Sequence, residues 1–144
     1  MNPHFIEMLK AFRDEGVEYL VIGAHALAVH GHIRATLDID LWVKPTPENA
    51  GRTWRALERF RAPLSKMNPQ DFSEPQVLYQ IGLPPNRIDI MTSVTGLDFD
   101  SAWPNHVIAQ FANVAVPVLG LEDLRLAKRA AGRLKDLADL EELG

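Results

Sequence analysis

Apolar residues recur along this chain with two spacings, one of three to four residues and one of two, and the switches between them predict its elements. Phe5, Met8, Leu9 and Phe12 share one helical face, so residues 3–15 should form an amphipathic helix ending near Gly16. An apolar strand over residues 17–22 follows and breaks at Gly23, after which residues 24–30 read as a second helix. Residues 37–43 alternate Leu37, Ile39, Leu41 and Val43 against Asp38, Asp40 and Trp42, the pattern of a strand with one face packed on a helix. Pro45-Thr46-Pro47 then interrupts the chain, with Thr46 placed to cap a third helix that starts at Pro47 and reaches Phe60.

Residues 67–75, with Asn68-Pro69 and Ser73-Glu74-Pro75, predict an exposed loop. Strands over 76–81 and 87–92 should form a hairpin through residues 82–86, and a second hairpin should pair 107–111 with 114–119 around Ala112-Asn113. Residues 121–143 predict a continuous terminal helix bent at Gly132. The order α-β-α-β-α-β-β, then a small β element and terminal helices, defines an α/β (α+β) class with a mixed sheet backed by helices. A single domain over residues 1–144 is expected from the length.

Composition narrows the function classes. At 47% hydrophobic and 24% charged residues the chain can bury a core, which excludes a disordered protein. No apolar stretch approaches a membrane span, and the first residues read as the first helix and not as a leader peptide, so no membrane association is expected. Cysteine is absent, which removes disulfides, thiolate metal sites and cysteine nucleophiles and suits a reducing, cytoplasmic setting. A net charge of −4 argues against a protein that coats nucleic acid non-specifically. Two basic clusters remain, Arg52, Arg55, Arg59, Arg61 and Lys66, and Arg125, Lys128, Arg129, Arg133 and Lys135. Each reads either as a solvated helix face or as a local RNA contact.

The chemistry is concentrated in the acids. Two positions apart on a strand, Asp38 and Asp40 project to one face and repel each other unless a cation lies between. Asp89 in Arg87-Ile88-Asp89-Ile90-Met91 supplies a third carboxylate on a later alternating strand. Three such oxygen donors suit two divalent ions, Mg²⁺ or Mn²⁺. A strand that turns through Gly23 into a helix leaves backbone N–H groups free for a phosphate, so the combination describes a nucleoside triphosphate site. The competing readings are solvated acids guarding an edge strand, and for Asp89 a salt bridge to Arg87 or Arg34. Arg34 either neutralises phosphate or pins the acid strand through Asp40. His25 reads as a phosphate contact or a surface residue, His30 and His32 as structural, and none as a zinc ligand beside such hard donors. Trp42, Trp54 and Trp103 read as packing residues. On the terminal helix Lys128, Gly132, Lys135 and Asp139 fall on one stripe, where Gly132 suggests a close approach or Lys135 simply pairs with Asp139.

The run Gly23-Ala24, Arg34, Thr36, Asp38 and Asp40, with Asp89 on a later strand, resembles the polymerase β-type nucleotidyltransferase superfamily. The Arg-x-Thr-x-Asp-x-Asp spelling and the ending Lys128-x-x-Ala131-x-Arg133-x-Lys135-Asp136-x-x-Asp139 are most similar to small bacterial proteins related to AbiEii-type toxins of toxin–antitoxin systems. The resemblance covers residues 17–93 and, more loosely, the last helix. It implies the nucleotidyltransferase fold, an NTP such as ATP as substrate, and Mg²⁺ (or Mn²⁺) as cofactor. It assigns Asp38, Asp40 and Asp89 as catalytic and metal-binding residues, with Asp89 also helping to deprotonate the attacking hydroxyl. Gly23, Ala24, His25, Arg34, Thr36 and Lys128 become the nucleotide-binding residues, Lys128 with its ammonium in the acid cleft. The implied reaction moves NMP to a hydroxyl of tRNA, a protein or an antibiotic and releases pyrophosphate, with acceptor contacts from residues 67–75, residues 107–119 or another subunit. A small partner protein would accompany a toxin-like role. Ala24 departs from the usual Gly or Ser and offers an N–H without a hydroxyl, which leaves open a catalytically weak or inactive protein that acts as a binding or regulatory partner.

Overall fold

The computed structural model describes residues 1–33, 38–83 and 86–144. The first helix, α1 (Pro3–Glu15), starts where the Asn2 side chain accepts the His4 N–H and stops at Gly16 in the left-handed conformation. Strand β1 (Tyr19–Ile22) is buried throughout and passes at Gly23 directly into α2 (Gly23–Val29). Strand β2 (Ile39–Val43) precedes α3 (Pro47–Phe60), which has the expected Thr46 cap and Pro47 start. Asn49 fixes the strand ends beneath α3. Fully buried, its side chain accepts the Glu18 N–H and donates to the Glu18 and Lys44 carbonyls, so its burial leaves no polar atom unmet.

The segment expected as an exposed loop contains a 3-10 helix, Pro69–Ser73, and buries Phe72 completely. Its proline-rich spelling masked one apolar anchor that packs into the main core. Strands β3 (Leu78–Ile81) and β4 (Ile88–Met91) form the first hairpin, and β5 (Val107–Phe111) and β6 (Val114–Val118) the second. A short α4 (Phe99–Ala102) and a 3-10 turn, Trp103–Asn105, lie between the hairpins.

The terminal segment is two helices, α5 (Leu121–Ala131) and α6 (Leu134–Leu143), and not one bent helix. Gly132 adopts φ +64° and ends α5 as a left-handed cap. A Cβ there would meet only the Arg129 carbonyl oxygen, at 3.7 Å, so backbone conformation and not a close neighbour explains the glycine. The single stripe through residue 132 is thereby dissolved.

The sheet order is β3-β4-β2-β1-β6-β5, with β2/β4 and β1/β6 parallel and the other neighbours antiparallel. One face packs on α1, α3 and the Phe72 segment through Val21, Ile39, Leu41, Ile90 and Val116. The other carries Leu20, Ile22 and Trp42 against Phe99, Leu119, Leu124 and Leu143. Alternation along β2 places Asp40 on this second face, beside Trp42. The mixed α/β architecture follows the order expected from the sequence. Among the described residues no helix is long and apolar enough to cross a membrane.

Candidate functional site

On the second face, α5 and the Arg133–Asp136 turn stand away from β2 and β4 and enclose a cavity of about 530 Å³. One wall carries Gly23, Asp38, Asp40, Arg87 and Asp89; the other carries Lys128, Arg133, Lys135 and Asp136, over an apolar floor that includes Leu119 and Leu124. Parallel pairing sets Asp40 directly opposite Asp89, while Asp38 immediately precedes β2. A strand spacing near 4.8 Å therefore brings together carboxylates 49 residues apart in sequence.

Gly23 is required by this arrangement. Its φ is +69°, and a Cβ on it would collide with Asp40 Oδ2. Only glycine lets the Asp40 carboxylate lie against the start of α2.

Among the described residues, the acid wall carries more negative charge than its neighbours balance. Burial, and then the Asp89 and Asp38 carboxylates, push Asp40 up to about 6 against the opposing pull of Arg87. Among the described residues, the cation between the acids is Arg87, which the sequence offered only as a salt-bridge partner of Asp89. Its Nε donates to Asp89 Oδ1 at 2.7 Å and its Nη2 to Asp89 Oδ2 at 3.1 Å. Its backbone N–H donates to Asp38 Oδ1 at 2.8 Å, and Nη2 stands 3.6 Å from Asp38 Oδ2. The signal was present in the sequence: in Arg87-Ile88-Asp89 the guanidinium and the carboxylate project to the same face.

Lys128 lines the cavity, and its ammonium is engaged on the wall opposite Asp38, Asp40 and Asp89. Nζ lies 3.3 Å from Asp136 Oδ1 and 3.0 Å from Asp139 Oδ2, and both acids are buried. Arg133 adds bonds to Asp136 from its Nε at 2.6 Å, its Nη2 at 3.3 Å and its backbone N–H at 3.2 Å. The Arg133 guanidinium and then the Lys128 ammonium hold Asp136 down to about 2 against its burial. The break at Gly132 brings Asp136 and Asp139 back onto Lys128, a partnership that a continuous helix does not predict.

His25 does not line the cavity. Its ring is buried between Phe5 and Phe111, 5.9 Å from each centroid, and bonds to the Asp38 carbonyl; burial lowers its pKa. It steadies the acid strand from behind instead of facing a phosphate. His30 bonds through Nε2 to the Leu119 carbonyl at 2.8 Å, the structural role expected of it. Ala24 is not among the cavity-lining residues. Arg34 and Thr36 lie outside the described residues.

Oxygen donors around an over-negative pocket suit a hard divalent cation by their chemistry. With Arg87 on Asp89, however, no three carboxylate or imidazole groups among the described residues are arranged to hold a metal ion.

The fold is shared with solved structures of nucleotidyltransferases. A candidate nucleotidyltransferase from Thermotoga maritima matches with a TM-score of 0.62 at 19% identity, covering 96% of this chain and 88% of its own. The lincosamide antibiotic adenylyltransferase LnuA, bound to lincomycin, matches with a TM-score of 0.59 at 13% identity, covering 99% of this chain and 96% of its own. An antigenic nucleotidyltransferase-like protein from Paracoccidioides brasiliensis matches at 0.57 and 16% identity, covering 97% and 74%. No curated protein sequence matches this chain. The chain belongs to the DUF6036 family, described as a nucleotidyltransferase of unknown function, which matches residues 4–144.

Proposed function

We propose that this protein transfers NMP from an NTP to a hydroxyl acceptor with the help of Mg²⁺ or Mn²⁺. The observation that carries this reading is the register of β2 on β4, which faces Asp40 and Asp89 together into one cavity with Asp38. With the Arg87 side chain turned away from Asp89, Asp38, Asp40 and Asp89 would hold divalent ions, which would supply charge stabilisation at the entering and leaving oxygens. Arg133, exposed on the opposite wall, and Lys135 offer cations to the triphosphate, while Lys128 holds that wall together through Asp136 and Asp139. The acceptor oxygen bonds to the α-phosphorus, the bond from that phosphorus to the bridging oxygen breaks, and pyrophosphate departs. The hydroxyl proton passes to Asp89.

The resemblance to AbiEii-type toxins favours tRNA or a protein as acceptor, and the likeness to a lincosamide adenylyltransferase makes an antibiotic the third arm of a test. Incubation with labelled NTPs and Mg²⁺ against total RNA, purified candidate partners and an antibiotic panel should label one acceptor class, and Asp89→Asn should abolish the label. Nucleotide titrations that give no heat with or without Mg²⁺ would refute the reading. They would favour a second one, a non-catalytic regulatory partner within a toxin–antitoxin pair. That alternative draws its support from Ala24, which brings no hydroxyl, and from the Arg87 hold on Asp89.

A further inference from the structure

Arg87 is bonded to two of the three site carboxylates by different parts of itself. Its backbone N–H is fixed on Asp38, and its guanidinium fork engages both oxygens of Asp89. A guanidinium keeps its charge and accepts no hydrogen bond. A divalent ion arriving at Asp89 would therefore meet a permanent positive charge bonded to the carboxylate it needs. The anchored backbone means that only the side chain has to turn. That side chain is 26% exposed and lines the same cavity as Arg133 and Lys135, so it has room to move without unfolding β4. Its planar fork suits phosphate oxygens as well as it suits a carboxylate.

We infer that Arg87 is a built-in counter-ion: it occupies Asp89 while nucleotide and divalent ion are away, and moves from that carboxylate to the triphosphate when they enter. The inference rests on the proposed nucleotidyl transfer. It makes metal and nucleotide binding interdependent, because the ion alone must displace the guanidinium whereas the ion with nucleotide gives it a new partner. By linkage, each then strengthens the other's binding by the same factor.

The test measures Mn²⁺ binding to the full chain by the electron paramagnetic resonance of the free ion, with and without a non-hydrolysable ATP analogue. Without nucleotide, Arg87→Gln should bind Mn²⁺ about tenfold more tightly than wild type, and the gain from adding the analogue should shrink by a similar factor. Arg87→Lys, whose ammonium cannot bracket both oxygens, should fall between the two and serves as the reporter if Arg87→Gln does not fold. Wild type that binds Mn²⁺ no more weakly than the variants, with an unchanged gain from nucleotide, overturns the counter-ion role and leaves the proposed function standing. Failure of wild type and both variants to bind Mn²⁺ under either condition overturns both.

Discussion

The two walls of the cavity are built from the same kinds of side chain and behave in opposite ways. On the β2/β4 wall, among the described residues, three carboxylates share the Arg87 guanidinium, and Asp40 is pushed up to about 6. On the α5/α6 wall Asp136 and Asp139 are matched by Lys128 and Arg133, and Asp136 is held down to about 2. Burial raises both carboxylates and is the largest cause at Asp40, where the neighbouring acids add to it, whereas at Asp136 the bonds from Arg133 and Lys128 outweigh it. A balanced network holds two helices together. An over-negative one is strained until positive charge arrives, which is the condition of a site that binds a cationic or cation-bearing ligand.

The most severe way to separate the walls is through activity. Asp89→Asn removes a charge from the over-negative wall and should lower nucleotidyl transfer by roughly 10³-fold, the scale of losing a preorganised charge at a reacting centre, with a normal circular dichroism spectrum. Transfer that survives this change would break the functional reading of that wall.

The balanced wall should fail in stability. Asp136→Asn leaves Lys128 and Arg133 without their shared buried partner and should cost about 3 kcal/mol in urea unfolding. Lys128→Ala should likewise lower the melting temperature, contrary to the expectation of a pure phosphate ligand, because it removes the ammonium that both buried Asp136 and buried Asp139 engage. The folded-state pKa of Asp136 lies below its ordinary value of 3.8, so its contribution is present above about pH 4 and is lost as the pH falls toward 2. An unchanged melting temperature in both variants would show that the network is dispensable.

Asp40 should respond with the opposite sign. Its folded-state pKa of about 6 exceeds the ordinary 3.8, so between those values the folded protein holds the extra proton and loses stability as the pH rises. Asp40→Asn should therefore stabilise the protein by about 2 kcal/mol at pH 7.5, allowing for partial solvent screening, and by almost nothing near pH 4. Urea titrations at the two pH values measure the difference, and destabilisation at pH 7.5 would contradict the charge imbalance.

The smallest effect expected is at the hinge between the helices. Gly132→Ala forces a Cβ into φ +64° with only an ordinary contact to the Arg129 carbonyl oxygen and should cost about 1 kcal/mol in urea unfolding. A loss several times larger would mean that the turn also carries the orientation of Asp136.

Much of this molecule can be read locally. The period-two alternation of residues 39–43, the Thr46-Pro47 helix start and the glycine-bounded α1 follow from neighbours a few residues apart, and the presence of an Asp-x-Asp strand and a later Asp89 in the sequence carries the resemblance to nucleotidyltransferases. What lay beyond that reach is long-range or depends on which side of an element meets the core. Phe72 makes an apparent loop part of the core. His25 turns toward Phe5 and Phe111 because α2 packs that side inward. Gly132 reads as a bend within one helix until it is seen to end α5 and Asp136 to return to Lys128. Tertiary structure alone decided that β2 and β4 lie side by side in parallel with Asp40 opposite Asp89, and that Arg87 fills the space between the acids. Local side-chain direction is set by the geometry of the backbone, whereas strand order and register are set by burying two sheet faces at once. That condition involves the whole chain.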